Sequence, residues 1–178
     1  MAVSLHCKTM LSRVPVINLL LVIFLFQSIS AAQSSPPRTV LDYYLLLPEK
    51  YFEADKEQRL KWMLDPGRGA VVDVKNGYIY APGDGAQTSI YVCLFKRPHG
   101  FPLIAVKSHE SDTNEYTHLN FYEYKNGALV EVKKGVLPVK INENFKYELP
   151  RYGRTIEVKD EHGRKVYSLN WSGRRFVL

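Results

Sequence analysis

From Ala70 onward the apolar residues of this chain recur at every second position, and Asn-Gly pairs punctuate them. That combination restricts the fold more than any other feature. Ala70–Lys75, Asn76-Gly77 and Tyr78–Ala81 read as one hairpin; Phe121–Lys125, Asn126-Gly127 and Ala128–Val132 read as another. A period of 2 marks strands with one face on a core, and Asn-Gly tolerates the positive φ angles of a type I′ turn. Between the hairpins, Thr88–Lys96 and Pro102–Ser108 give two strands around Arg97-Pro98-His99-Gly100. Thr155–Lys159 and Lys165–Asn170 flank Asp160-Glu161-His162-Gly163, and Arg174–Leu178 adds a last short strand after Ser172-Gly173.

Ahead of Ala70 the period is 3.6. Thr39 is a helix cap with Asp42 three residues on, Val40, Leu41, Tyr44 and Leu45 recur at helical spacing, and Pro48 ends the segment. Asp55 caps a second helix over Lys56–Leu64, which Asp65-Pro66-Gly67 stops. Leu60, Met63 and Leu64 are its expected apolar stripe, with Trp62 beside it. The predicted fold class is α+β, predominantly antiparallel β: one or two short N-terminal helices packed on two small sheets, as a sandwich, an open barrel or propeller-like blades. VDVKNGYIYAPGDGAQTSI and YEYKNGALVEV followed by ELPRYGRTIEV share the order of their turns and strands. This fits an internal duplication of about four strands per unit, and equally a mere recurrence of turn chemistry.

The N-terminus has the parts of an export signal. Lys8 and Arg13 precede an almost wholly apolar run, Val14–Ile29, and Ser30-Ala31-Ala32 supplies the small residues of a cleavage site. The expected organisation is a signal peptide over 1–32, a flexible spacer over 33–38 (QSSPPR) and a single β-rich domain over 39–178. The protein is therefore expected to be secreted or periplasmic, with membrane attachment only through an uncleaved signal sequence. Losing Lys8 and Arg13 with the leader lowers the formal charge from +6 to +4. The basic residues are spread along the chain, Lys133-Lys134 and Arg174-Arg175 being the densest pairs, so nucleic acid is not an expected partner. Only Cys93 follows the leader. It sits in the continuous apolar strand Ile90–Phe95, where burial as a small hydrophobe is expected.

Catalytic motifs are scarce. There is no G-x-S-x-G elbow, and the Pro82–Gln87 loop leads into a strand rather than the helix a phosphate loop needs. The most polar loop, His109–His118, offers His109, Glu110, Asp112, Glu115 and His118. Two imidazoles and a carboxylate make a conceivable zinc site, although the spacing is neither H-E-x-x-H nor a calcium loop. The competing expectation is a solvated loop.

Aromatic residues are the remaining resource. Twelve tyrosines exceed what one small core obviously needs, and Tyr and Trp suit sugar rings and protein surfaces alike. Tyr122 and Tyr124 share one strand face, and Arg151, Tyr152 and Arg154 lie on the Pro/Gly-held stretch Leu149–Arg154. With Trp171 these are the candidate binding residues, set against ordinary core packing and the β-propensity of Tyr. LDYYLLLPEKYF, NGYIYAPGDGAQTSI and ELPRYGRTIEV resemble segments of small secreted proteins of bacteria that carry no known activity, so the resemblance transfers no functional residue. The expected function is a non-catalytic, cofactor-free module of the cell envelope or extracellular space that binds a protein or a polysaccharide. The alternative is a secreted hydrolase with a metal or acid/base site in the 109–118 loop.

Overall fold

The computed structural model describes residues 35–83, 88–109 and 117–178. The expected signal peptide, residues 84–87 and residues 110–116 lie outside the described residues. Contacts divide the chain between Ser35 and Pro36, and Pro36–Leu178 is the unit described below.

Helix α1 is Val40–Leu45, opened by a reciprocal cap. The Thr39 hydroxyl accepts from the Asp42 N–H at 3.2 Å, and the Asp42 carboxylate accepts from the Thr39 N–H at 2.8 Å. A 3₁₀ turn, Glu49–Tyr51, leads to α2, Lys56–Leu64, where the Asp55 carboxylate accepts from the Gln58 N–H at 2.8 Å. Both caps satisfy N–H groups that a helix start leaves orphaned. The inward face of α2 differs from the expected stripe. Arg59 and Met63, one turn apart, are buried, while Leu64 is 65% exposed and Leu60 half-buried. Among the described residues no helix is long and apolar enough to cross a membrane.

Among the described residues ten strands follow: β1 Val71–Asp73, β2 Tyr78–Ala81, β3 Ile90–Phe95, β4 Leu103–His109, β5 Thr117–Lys125, β6 Ala128–Glu131, β7 Lys146–Glu148, β8 Thr155–Lys159, β9 Lys165–Trp171 and β10 Phe176–Val177. They form two antiparallel sheets in simple chain order, β1-β2-β3-β4-β5-β6 and β7-β8-β9-β10. The fold is thus α+β with two sheets packed face to face. The two Asn-Gly hairpins stand at opposite edges of the six-stranded sheet, whereas the hairpin β8–β9 belongs to the other sheet. The sequence similarity between the two stretches therefore does not extend to their sheet pairing.

The two Asn-Gly turns also differ from each other. At Asn126-Gly127 the register Lys125↔Ala128 leaves a two-residue loop, and both residues have positive φ (50° and 86°), as a type I′ turn requires. At Asn76-Gly77 pairing ends at Asp73↔Tyr78, leaving the four-residue loop Val74–Gly77. There the Asp73 carboxylate accepts from both the backbone N–H and the side-chain amide of Asn76, at 3.1 and 2.9 Å. Asn76 is held by this side-chain grip, and Gly77 alone takes a positive φ, 68°.

The larger sheet is the middle layer. Ile79, Ile90, Val92, Ile104, Val106 and Tyr122 face the helices and pack with Val40, Tyr43, Tyr44 and Met63. On the opposite face Cys93, Phe95, Leu103, Ala105, Leu119 and Phe121 pack against Tyr147, Ile156, Val158, Leu169, Trp171 and Phe176 of the smaller sheet. Cover on both sides explains why β3 and β4 read as nearly unbroken apolar runs.

Candidate functional site

The alternation that points Ile79 and Ala81 at the helices turns Tyr78 and Tyr80 to the other face of the larger sheet. Strand register then builds two rows on that face: Tyr78↔Cys93↔Ala105↔Phe121 and Tyr80↔Tyr91↔Lys107↔Leu119. The first row runs beneath the smaller sheet from Cys93 onward. The second begins outside it, and Tyr78, Tyr80, Tyr91 and Lys107 are all half-buried. The rings of Tyr80 and Tyr91 lie 4.8 Å apart with a tilt of 34°. Lys107 Nζ stands 4.3 Å from the centroid of Tyr91, a cation–π distance. Burial lowers the pKa of Lys107, which the charge of Glu148 partly opposes. Burial, reinforced by the neighbouring phenols, raises those of Tyr78 and Tyr91.

One margin of this aromatic strip is the Leu149–Arg154 stretch. Cys93 Sγ donates to the Pro150 carbonyl at 3.3 Å and ties the stretch to β3. Arg151 Nε donates to Asp73 at 2.9 Å. The Asp73 carboxyl, bonded by Asn76 and Arg151, is held below its ordinary pKa. The Arg151 guanidinium also lies 5.4 Å from the centroid of Tyr152, whose side chain is 69% exposed. The arrangement offers flat apolar faces, phenol hydroxyls and two cations on one surface.

The residues selected from the sequence separate in the structure. Arg151, Tyr152 and Arg154 are exposed together, as expected. Tyr122 and Trp171 are not exposed, which corrects their assignment as contact residues. Tyr122 lies on the helix side of the sheet, its hydroxyl 2.8 Å from that of Tyr51. Trp171 belongs to the core between the sheets and donates from Nε1 to the Lys96 carbonyl at 2.7 Å. Each polar edge is satisfied inside the protein, which is how buried Tyr and Trp are normally accommodated. Tyr124 is half-buried between Tyr43 and Phe101, at ring distances of 6.3 and 4.8 Å, on the face away from Arg151. The metal alternative rests on Glu110 and Asp112, which lie outside the described residues, as does the side chain of His109; His118 is exposed. Among the described residues no three His, Cys, Asp or Glu side chains are grouped to hold a metal.

Tyr78, Tyr80, Tyr91 and Lys107 were missed in the sequence although a signal exists. Within YIYA and IYV each tyrosine alternates with an aliphatic residue. Lys107 is a charge directly after the apolar run Leu103–Val106 of β4. Compared with protein-family models, with curated proteins and with solved structures, the chain gives no match.

Proposed function

We propose that the protein is an exported, non-catalytic binding module of the envelope or extracellular space, and that it takes a polysaccharide on the aromatic strip. The observation that carries this is the Tyr80–Tyr91 ring pair with Lys107 against it and Arg151 and Tyr152 alongside. Sugar rings present flat C–H faces that stack on aromatic faces, while hydroxyls bond to the phenol edges. Two cations beside the rings favour a chain that carries carboxylate or sulfate groups. The apolar run Val14–Ile29 and the small residues after it support export.

The test is titration calorimetry of the protein against acidic and neutral polysaccharides, alongside Tyr80→Ala and Tyr152→Ala. An acidic polysaccharide is expected to bind, and the double variant to lose at least tenfold in affinity at unchanged melting temperature. Absence of binding across the panel, or a double variant that binds like the parent, refutes the assignment.

A further inference from the structure

A second concave site lies in a different part of the molecule. Strand β6 pairs with Tyr122–Lys125, so among the described residues the first half of β5 has no neighbouring strand on that side. The irregular stretch from Val132 to Phe145 covers it instead, pinned at three points. Val132 N–H donates to the Phe121 carbonyl at 2.8 Å, Phe176 N–H to the Val136 carbonyl at 2.8 Å, and Asn142 N–H to the Tyr147 hydroxyl at 2.9 Å. Between this stretch and Leu119–Phe121 of β5 lies an open cleft of about 490 Å³. That is the size of a small-molecule site.

Its lining is divided by chemistry. Leu119, Phe121 and Val136 are buried in the core between the sheets, and the apolar surface open to the cleft comes from Leu137 and Val139, both half-buried, and Ile141, 39% exposed. Lys133, Lys134 and Lys140 line the same cleft, and all three are exposed. Among the described residues none of the three has a carboxylate within ion-pair distance. The one acid in the lining, Glu131, already faces Lys50 at 3.5 Å. An apolar hollow with three uncompensated ammonium groups matches a ligand with an apolar body and one anionic end.

We infer that this cleft binds a single-chain anionic amphiphile, a free fatty carboxylate being the chemical type. The acyl chain lies on Leu137, Val139 and Ile141, and the carboxylate meets Lys133, Lys134 and Lys140. A concave cleft of this volume suits one chain in monomeric form. A bilayer surface would call for a protruding apolar face instead. The aromatic strip is not needed for this binding, so the two sites can fail separately.

The test is calorimetric titration of the full chain with laurate below its micellar concentration. Binding of one laurate per chain is expected, with dodecanol at least tenfold weaker. Lys133→Glu with Lys134→Glu should weaken laurate at least tenfold while the melting temperature stays put, and Leu137→Trp, which fills the cleft, should abolish binding. The inference is overturned if laurate does not bind, if dodecanol binds equally, or if both variants bind like the parent. It is also overturned if the protein sediments with anionic phospholipid vesicles yet ignores monomeric laurate, which would assign the lysines to a membrane surface.

Discussion

Arg59 is buried to 2% exposure, and among the described residues no carboxylate lies within ion-pair distance of it, although the charges of Asp55 and Glu49 reach it from further away. Its Nη2 donates to the Leu45 carbonyl at 3.2 Å, its Nε donates to the Asp55 carbonyl at 3.4 Å, and its other terminal nitrogen has no hydrogen-bond partner among the described residues. The guanidinium lies over Phe52, 4.1 Å from the ring centroid. Stacking and two carbonyls offset only part of the cost of taking a cation out of water, and a well-packed hydrophobe often matches or exceeds such an arrangement. Arg59→Met is therefore expected to stay within about 1 kcal/mol of the parent or to gain stability. Arg59→Ala, which leaves a cavity beside Phe52, should cost about 2 kcal/mol or more; urea denaturation distinguishes them. Cys93 poses the opposite case, because burial is its whole chemistry. The thiol is 3% exposed and its pKa is pushed up to about 12. In a Cys7→Ser chain, a thiol reagent at pH 8 should label Cys93 only as the protein unfolds. Fast labelling under native conditions would contradict this packing.

Among the elements, the two Asn-Gly turns give the sharpest comparison. A Cβ at Gly77 would stand 3.0 Å from the Cβ of Leu94, whose N–H donates to the Gly77 carbonyl at 2.8 Å, whereas at Gly127 nothing lies within 4 Å. Gly127→Ala should thus carry only the positive-φ penalty, about 1–2 kcal/mol. Gly77→Ala should add an overpacking cost of about 1–3 kcal/mol, and equal losses in urea denaturation would disprove the close approach. Local chemistry of this kind was readable in advance. The caps at Thr39 and Asp55, the stop at Asp65-Pro66 and the Asn126-Gly127 turn all act within four residues of themselves. The partition of the tyrosines was not readable. A period of 2 separates Tyr122 from Phe121 but cannot say which face meets helices and which meets the second sheet, and here both faces are covered. Arg59 escaped for a related reason: its burial depends on Phe52 and Tyr44, aromatic side chains brought from outside its helix. The cleft beside β5 was hidden as well, because it exists only where β6 stops short of its partner.

At the scale of the whole molecule, alkaline pH should be destabilising, and the sign follows from proton counts. Burial pushes Tyr44 and Tyr167 up to about 12 from an ordinary 10.0, and Cys93 up to about 12 from 9.0. Between pH 9 and 12 the unfolded chain therefore binds fewer protons at these groups than the folded one, and stability falls as pH rises. Lys107 and Arg59, whose pKa values burial lowers, work the other way, but the three raised acids outnumber them. Urea midpoints should decline steadily from pH 9 to pH 11, with phenolate absorbance appearing together with unfolding; a flat profile would contradict the burial of these side chains. The strictly sequential strand order has its own consequence, which concerns time. Each strand pairs with the one made just before it, so the larger sheet can close hairpin by hairpin without waiting for distant chain. When Glu131 arrives its ladder is complete, but Cys93, Phe95, Leu103, Ala105 and Phe121 still lie bare until β7–β10 come to cover them. A chain cut short after β6 would carry a finished sheet with a sticky face. Strands β7–β10 thus serve the earlier ones as a built-in chaperone, emerging after them and covering the face they leave bare.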